Sequence, residues 1–126
     1  MTIRDELAAI RERAENATEG PWEAHEILDC HPGTTVEYIA VSPTDWGDLH
    51  FIDVEPEHGP DATFIAHART DIPRLVNALQ AVVDRHVRSP LVYLGDDGEY
   101  SVCQGCARRW PCPTIRVIEE AMEAWA

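Results

Sequence analysis

The tightest constraint on this chain lies near its C-terminus. Residues 101–115 read SVCQGCARRWPCPTI, so Cys103, Cys106 and Cys112 fall within ten residues. Three thiols held so close have three uses: a disulfide, a redox couple or a metal site. The opening MTIRDELAAIRERAEN lacks the basic-then-apolar pattern of an export signal. No apolar run approaches the roughly 18 residues a membrane span needs. A cytoplasmic location with no membrane partner is therefore expected, and disulfides are disfavoured there. A catalytic dithiol sits near a helix start in a strand–helix setting. Here the pair follows a hairpin strand and encloses Gly105, which suits a metal knuckle better.

Zinc fits these residue types. A tight Cys-x2-Cys turn directs two thiolates at one ion with tetrahedral angles. Cys112 returns after five intervening residues as a third ligand. Pro113 suits the first position of a final helix, which makes Cys112 its N-cap and puts its thiolate at the positive helix end. Arg108 and Arg109 are placed to soften the charge of three thiolates. The fourth ligand is expected to be His86, giving His86-x16-Cys103-x2-Cys106-x5-Cys112. Cys30 is the second choice. His31, His25, His50, His58 and His67 are further candidates. A thiolate-rich zinc site is usually closed, whereas a catalytic one keeps an open position. A zinc deaminase would need His-x-Glu and Pro-Cys-x-x-Cys, which this chain lacks. Structural Zn2+ and no enzymatic activity are the expectations.

The rest of the sequence predicts an α+β fold in a single domain, 1–126. A body over 1–88 carries a small three-stranded antiparallel sheet packed against helices. A C-terminal zinc-knuckle hairpin and terminal helix occupy 89–126. Helices are expected at 3–17, 61–69 and 72–86, with the break before the third at Thr70–Asp71 and Pro73 in its first turn. Ala62, Phe64, Ile65 and Ala68 are placed inward on the second. Leu75, Leu79, Val82 and His86 share a face of the third, with Ile72, Val76 and Val83 beside them. Strands are read at 22–28, 35–41 and 50–54, separated by connectors rich in Pro, Gly and Asp. LVYLGDDGEYSVC reads as a hairpin turning at Gly95–Gly98. In the last helix, Ile115, Ile118, Met122 and Trp125 recur at helical spacing.

Charge narrows the partners. The chain carries 23 acids and ten basic residues, all arginine, for a net charge of -13. Residues 1–65 hold fifteen acids and three arginines. Such a field repels nucleic acid and membrane phosphates. It suits solubility, a basic protein partner or imitation of DNA. Residues 44–61, with six acids and no base, are the most acidic stretch, and Trp46 within them is the best candidate for an exposed binding aromatic. His25, His31, His50 and His58, with Asp29 and Asp53, match no metal-ligand spacing and are read as solvated or hydrogen-bonded. No phosphate loop, nucleophile elbow or dinucleotide fingerprint occurs.

Three segments carry a resemblance. ATEGPWEA (17–24), DATFIAHARTDIPRLVNAL (61–79) and CQGCARRWPCPTIRVI (103–118) resemble parts of small proteins from actinobacteria and their phages. Those proteins share a Gly-Pro-Trp after a first helix, an Asp-Ala-x-Phe-Ile-Ala segment followed by Arg-x-Asp-x-Pro, and a Cys-x-x-Cys…Trp-Pro-Cys-Pro-Thr end. The resemblance implies a histidine before the cysteines, which matches His86. It also implies a phage or prophage accessory protein. The expectation is an acidic zinc-containing protein that binds a host protein without catalysis. A DNA-mimic inhibitor of a host nucleic-acid-binding protein and a metal-dependent enzyme are the alternatives.

Overall fold

The computed structural model describes residues 2–28, 35–41, 50–54 and 59–124, with side chains over 2–25 and 60–124. The chain is α+β. Its elements run α1 (Ile3–Asn16), β1 (Glu23–Leu28), β2 (Thr35–Val41), β3 (His50–Val54), α2 (Gly59–Arg85), β4 (Tyr93–Gly95), β5 (Gly98–Tyr100) and α3 (Pro113–Glu123). Two compact units divide it: Met1–Ala9 with Val76–Ala126, and Ile10–Leu75. The chain passes from one unit to the other after Ala9 and back after Leu75.

A reciprocal cap starts α1. The Asp5 N–H donates to the Thr2 hydroxyl at 3.2 Å, and the Asp5 carboxylate accepts from the Thr2 N–H at 2.9 Å. This is a capping box with aspartate in place of the usual glutamate. The Thr2 hydroxyl, which donates to the Asp5 carboxylate at 2.7 Å, and then the Thr2 N–H hold the Asp5 carboxyl below its ordinary pKa. Ile3 and Leu7 are buried, while Ile10, Ala14 and Ala17 are half-buried.

In the unit Ile10–Leu75, β1 pairs antiparallel with β2, setting His25 opposite Tyr38, and β2 pairs with β3, setting Ile39 opposite Ile52. Trp22 packs on the buried Ala62 and Ala66. Its indole N–H donates to the Thr18 carbonyl at 3.1 Å.

Helix α2 departs from expectation. The break at Thr70–Asp71 does not occur, and one helix runs from Gly59 to Arg85 with Pro73 inside it. The inward set also differs. Phe64 is 74% exposed and Leu75 67%, while Ala62, Ala66, Val76 and Val83 are buried. Arg69, Pro73 and Gln80 are half-buried between them. Positions 62, 66, 69, 73, 76, 80 and 83 thus form one seam with alternating steps of four and three, the spacing of a single helix face. The seam passes through Pro73 without interruption.

In the other unit, Arg4 joins α1 to the end of α2. Its guanidinium donates to Asp84 at 2.8 Å and to the Val83 carbonyl at 3.1 Å. β4 and β5 form the hairpin, with Tyr93 opposite Tyr100 and Gly95 opposite Gly98. Gly98 takes a φ of 111°, a conformation open to glycine and rarely to other residues. No described helix is long and apolar enough to cross a membrane.

Candidate metal centre

The end of α2, the turn after the hairpin and the start of α3 meet at one point. His86 follows the last residue of α2, and its N–H is shared between the Val82 and Val83 carbonyls at 3.2 Å each. The chain then runs antiparallel to the knuckle. Arg88 bridges Cys103, the Gln104 N–H donates to the Val87 carbonyl at 2.8 Å, and the Ser89 N–H donates to the Val102 carbonyl at 2.8 Å. These bonds hold the histidine-bearing segment beside the cysteine-bearing one.

The knuckle is closed by its own backbone. The Ala107 N–H donates to the Cys103 carbonyl at 2.8 Å, and the Cys103 N–H donates to the Arg108 carbonyl at 2.7 Å. Closing so tight a turn puts Ala107 at a φ of 61°, in the left-handed region. Gly105 lies against the end of α2, where a Cβ would collide with the Arg85 carbonyl oxygen. Cys112 is the N-cap of α3, and Pro113 occupies the first turn. The Cys112 side chain makes no cap hydrogen bond. Its sulfur turns toward His86 instead.

His86 Nδ1 lies 3.5 Å from Cys103 Sγ and 3.5 Å from Cys112 Sγ. With Cys106, the four ligand atoms all lie within 4.8 Å of one another. Cys103 and Cys112 are buried, at 1% and 0% exposure, His86 is half-buried and Cys106 is exposed. Burial pushes the Cys103 thiol up, but the backbone N–H groups of Cys106 and Gly105, then His86 and Cys106, outweigh it. The net result is a pKa lowered to about 7. At Cys106 the Arg108 N–H favours the thiolate, but desolvation and the neighbouring Cys103 and Cys112 prevail, and the pKa rises. A thiol whose ionisation is opposed by two neighbouring thiols belongs to a group for which a cation is the natural counter-charge.

The geometry suits a tetrahedral ion. Zn–N of about 2.1 Å and Zn–S of about 2.3 Å at the tetrahedral angle put nitrogen and sulfur about 3.6 Å apart. The donor set of one imidazole and three thiols can hold a metal ion through these four side chains.

The structure thus brings together the four residues singled out from the sequence. The alternative ligands Cys30, His31, His50 and His58 lie outside the residues whose side chains are described. Among the described residues, neither His25, which meets Glu23 at 3.0 Å, nor His67 belongs to the cluster. The arginines act differently from expectation. Arg109 turns away from the thiols and forms a two-pronged pair with Asp97 at 2.8 and 2.7 Å. It also stacks 4.5 Å over the Tyr100 ring, which itself stacks on Tyr93. Arg109 therefore fastens the hairpin tip to the knuckle, and its charge holds the Asp97 carboxyl below the usual range. Arg108 meets the cluster through its backbone. The sequence places Gly105 in the knuckle and Arg109 beside it, but it gives no sign of the left-handed Ala107 or of the close approach of Gly105 to Arg85. The clearest available signal was Gly105 inside the Cys-x2-Cys turn.

Compared with protein families, with curated proteins and with solved structures, the chain matches none of them.

Proposed function

We propose that this is a non-enzymatic interaction protein whose C-terminal third is stapled by a structural zinc ion. One observation supports the reading: the ligand atoms of His86, Cys103, Cys106 and Cys112 lie within 4.8 Å of one another, enough to fill a tetrahedral shell around one ion. A filled shell leaves no place for a substrate or an activated water. The buried Cys103 and Cys112, and the three elements that converge on the cluster, suit a cross-link. Zinc is favoured over harder ions because thiolates select soft or borderline metals. Here the ion's chemistry would be to neutralise the three thiolates and hold them with His86. The resemblance of segments 17–24, 61–79 and 103–118 supports a phage or prophage accessory role, with a protein of an actinobacterial host as partner.

Elemental analysis of the protein purified without added metal tests the staple. One zinc per chain is expected, falling below one tenth in a Cys103→Ser/Cys112→Ser variant. A metal-free wild type that melts at the same temperature as a zinc-reconstituted sample would sink the reading.

A further inference from the structure

The acidic unit contains an apolar groove with two arginines in its lining. The groove encloses about 500 Å³, and every lining residue belongs to the unit Ile10–Leu75. Its walls are α1 from Ile10 to Ala14 with Ala17 just beyond it, α2 from Phe64 to Pro73, and Trp22. Its lining is apolar apart from two charged residues, Arg13 and Arg69. Arg69 is held in place: its Nε donates to the Thr18 carbonyl at 2.8 Å, and its stem lies 3.0 Å from where a Gly20 Cβ would stand. Among the described residues no carboxylate pairs with Arg13 or Arg69. Six acids of the unit have described side chains, and none of the six meets either arginine.

We infer that this groove is a docking site for an amphipathic helix of a partner protein with acidic residues flanking its apolar stripe. The dimensions favour a helix. Residues 10–17 and 64–73 span about 10–14 Å along their helices, the length of an i, i+3, i+4, i+7 anchor set. The groove is open, and Phe64 stands 74% exposed at its edge. A site for a small molecule would enclose most of its ligand. The charge complementarity decides the flanks: carboxylates on the incoming helix would answer Arg13 and Arg69, whereas a basic helix would meet both unshielded. The inference rests on the interaction reading above, and it reverses the expectation that an acidic chain seeks a basic partner.

The test uses the full-length, zinc-loaded protein and two fluorescein-labelled 16-residue helical peptides. Both carry leucine at i, i+3, i+4 and i+7; one is flanked by glutamate and the other by lysine. Fluorescence anisotropy is expected to show the glutamate peptide binding at least tenfold more tightly. Arg13→Glu, at a side chain with no partner among the described residues, should weaken it at least fivefold, and Arg13→Glu/Arg69→Glu should invert the preference. Equal binding of the two peptides, binding of neither at millimolar concentration, or no effect of Arg13→Glu overturns the inference. So does displacement of the peptide by dodecanoate at micromolar concentration, or self-association of the chain that masks the groove. Capture from an actinobacterial lysate separates the two levels. Identical partners on wild type and the double variant place docking elsewhere and leave the interaction reading intact. No partner on either removes that reading, while the peptide result still decides the groove.

Discussion

Ala107 shows how much of a metal knuckle is backbone conformation. A left-handed residue other than glycine costs about 1–2 kcal/mol, and glycine would recover part of that at its own entropic cost. Ala107→Gly is expected to stabilise the metal-loaded protein by roughly 0.5–1 kcal/mol, read from the denaturant midpoint. Gly105→Ala should act in the opposite sense. Its new methyl meets the Arg85 carbonyl oxygen, which is backbone and cannot swing aside as a side chain can. A loss of about 1–3 kcal/mol is expected in the same measurement. At this scale the ligands were legible, because thiol spacing and a nearby histidine are written in the chain. The supporting roles were less so: an alanine in a left-handed turn looks like any alanine.

Among elements, α2 teaches most. Proline disfavours helical geometry in the residue before it, so a stop at Thr70–Asp71 was the reasonable reading. The seam through 62, 66, 69, 73, 76, 80 and 83 overrode it, because burying one continuous face outweighs a missing hydrogen bond. The seam was hard to see in sequence because Arg69 and Gln80 are polar, while the apolar Phe64 and Leu75 lie outside it. Pro73 leaves the Arg69 carbonyl without its helical donor. Pro73→Ala should therefore raise the melting temperature, by the equivalent of about 1–3 kcal/mol, and increase helical circular dichroism. The hairpin offers a test in pH. Asp97 is depressed by Arg109, so its contribution is present above the ordinary value of 3.8 and fades as pH falls through its folded value. The melting-temperature gap between wild type and Asp97→Asn should be open above about pH 5 and close on further acidification. A gap that stays constant across that range would mean the pair contributes nothing.

At the scale of the whole molecule, the two units should respond differently to loss of metal. The cluster lies in Met1–Ala9 with Val76–Ala126. Chelation should collapse amide-exchange protection over 86–118, while residues 62–72, which stand on Trp22, Ala62 and Ala66, keep theirs. Uniform loss across both would show a single cooperative body. The acidic stretch 44–61, on which a DNA-mimic reading depends, lies largely outside the described residues, and the peptide and lysate experiments bear on partner choice through the groove instead. The amino-acid sequence by itself pointed to the α+β class, the hairpin turn and the three cysteines of the candidate metal centre, with His86 as first choice for the fourth position, because each rests on residue type and local spacing. Only the tertiary structure decided that α2 is continuous, that Arg109 serves the hairpin in preference to the thiols, and that Arg13 and Arg69 flank an apolar groove. Those outcomes depend on which surfaces meet across dozens of residues, and local propensity carries no record of that.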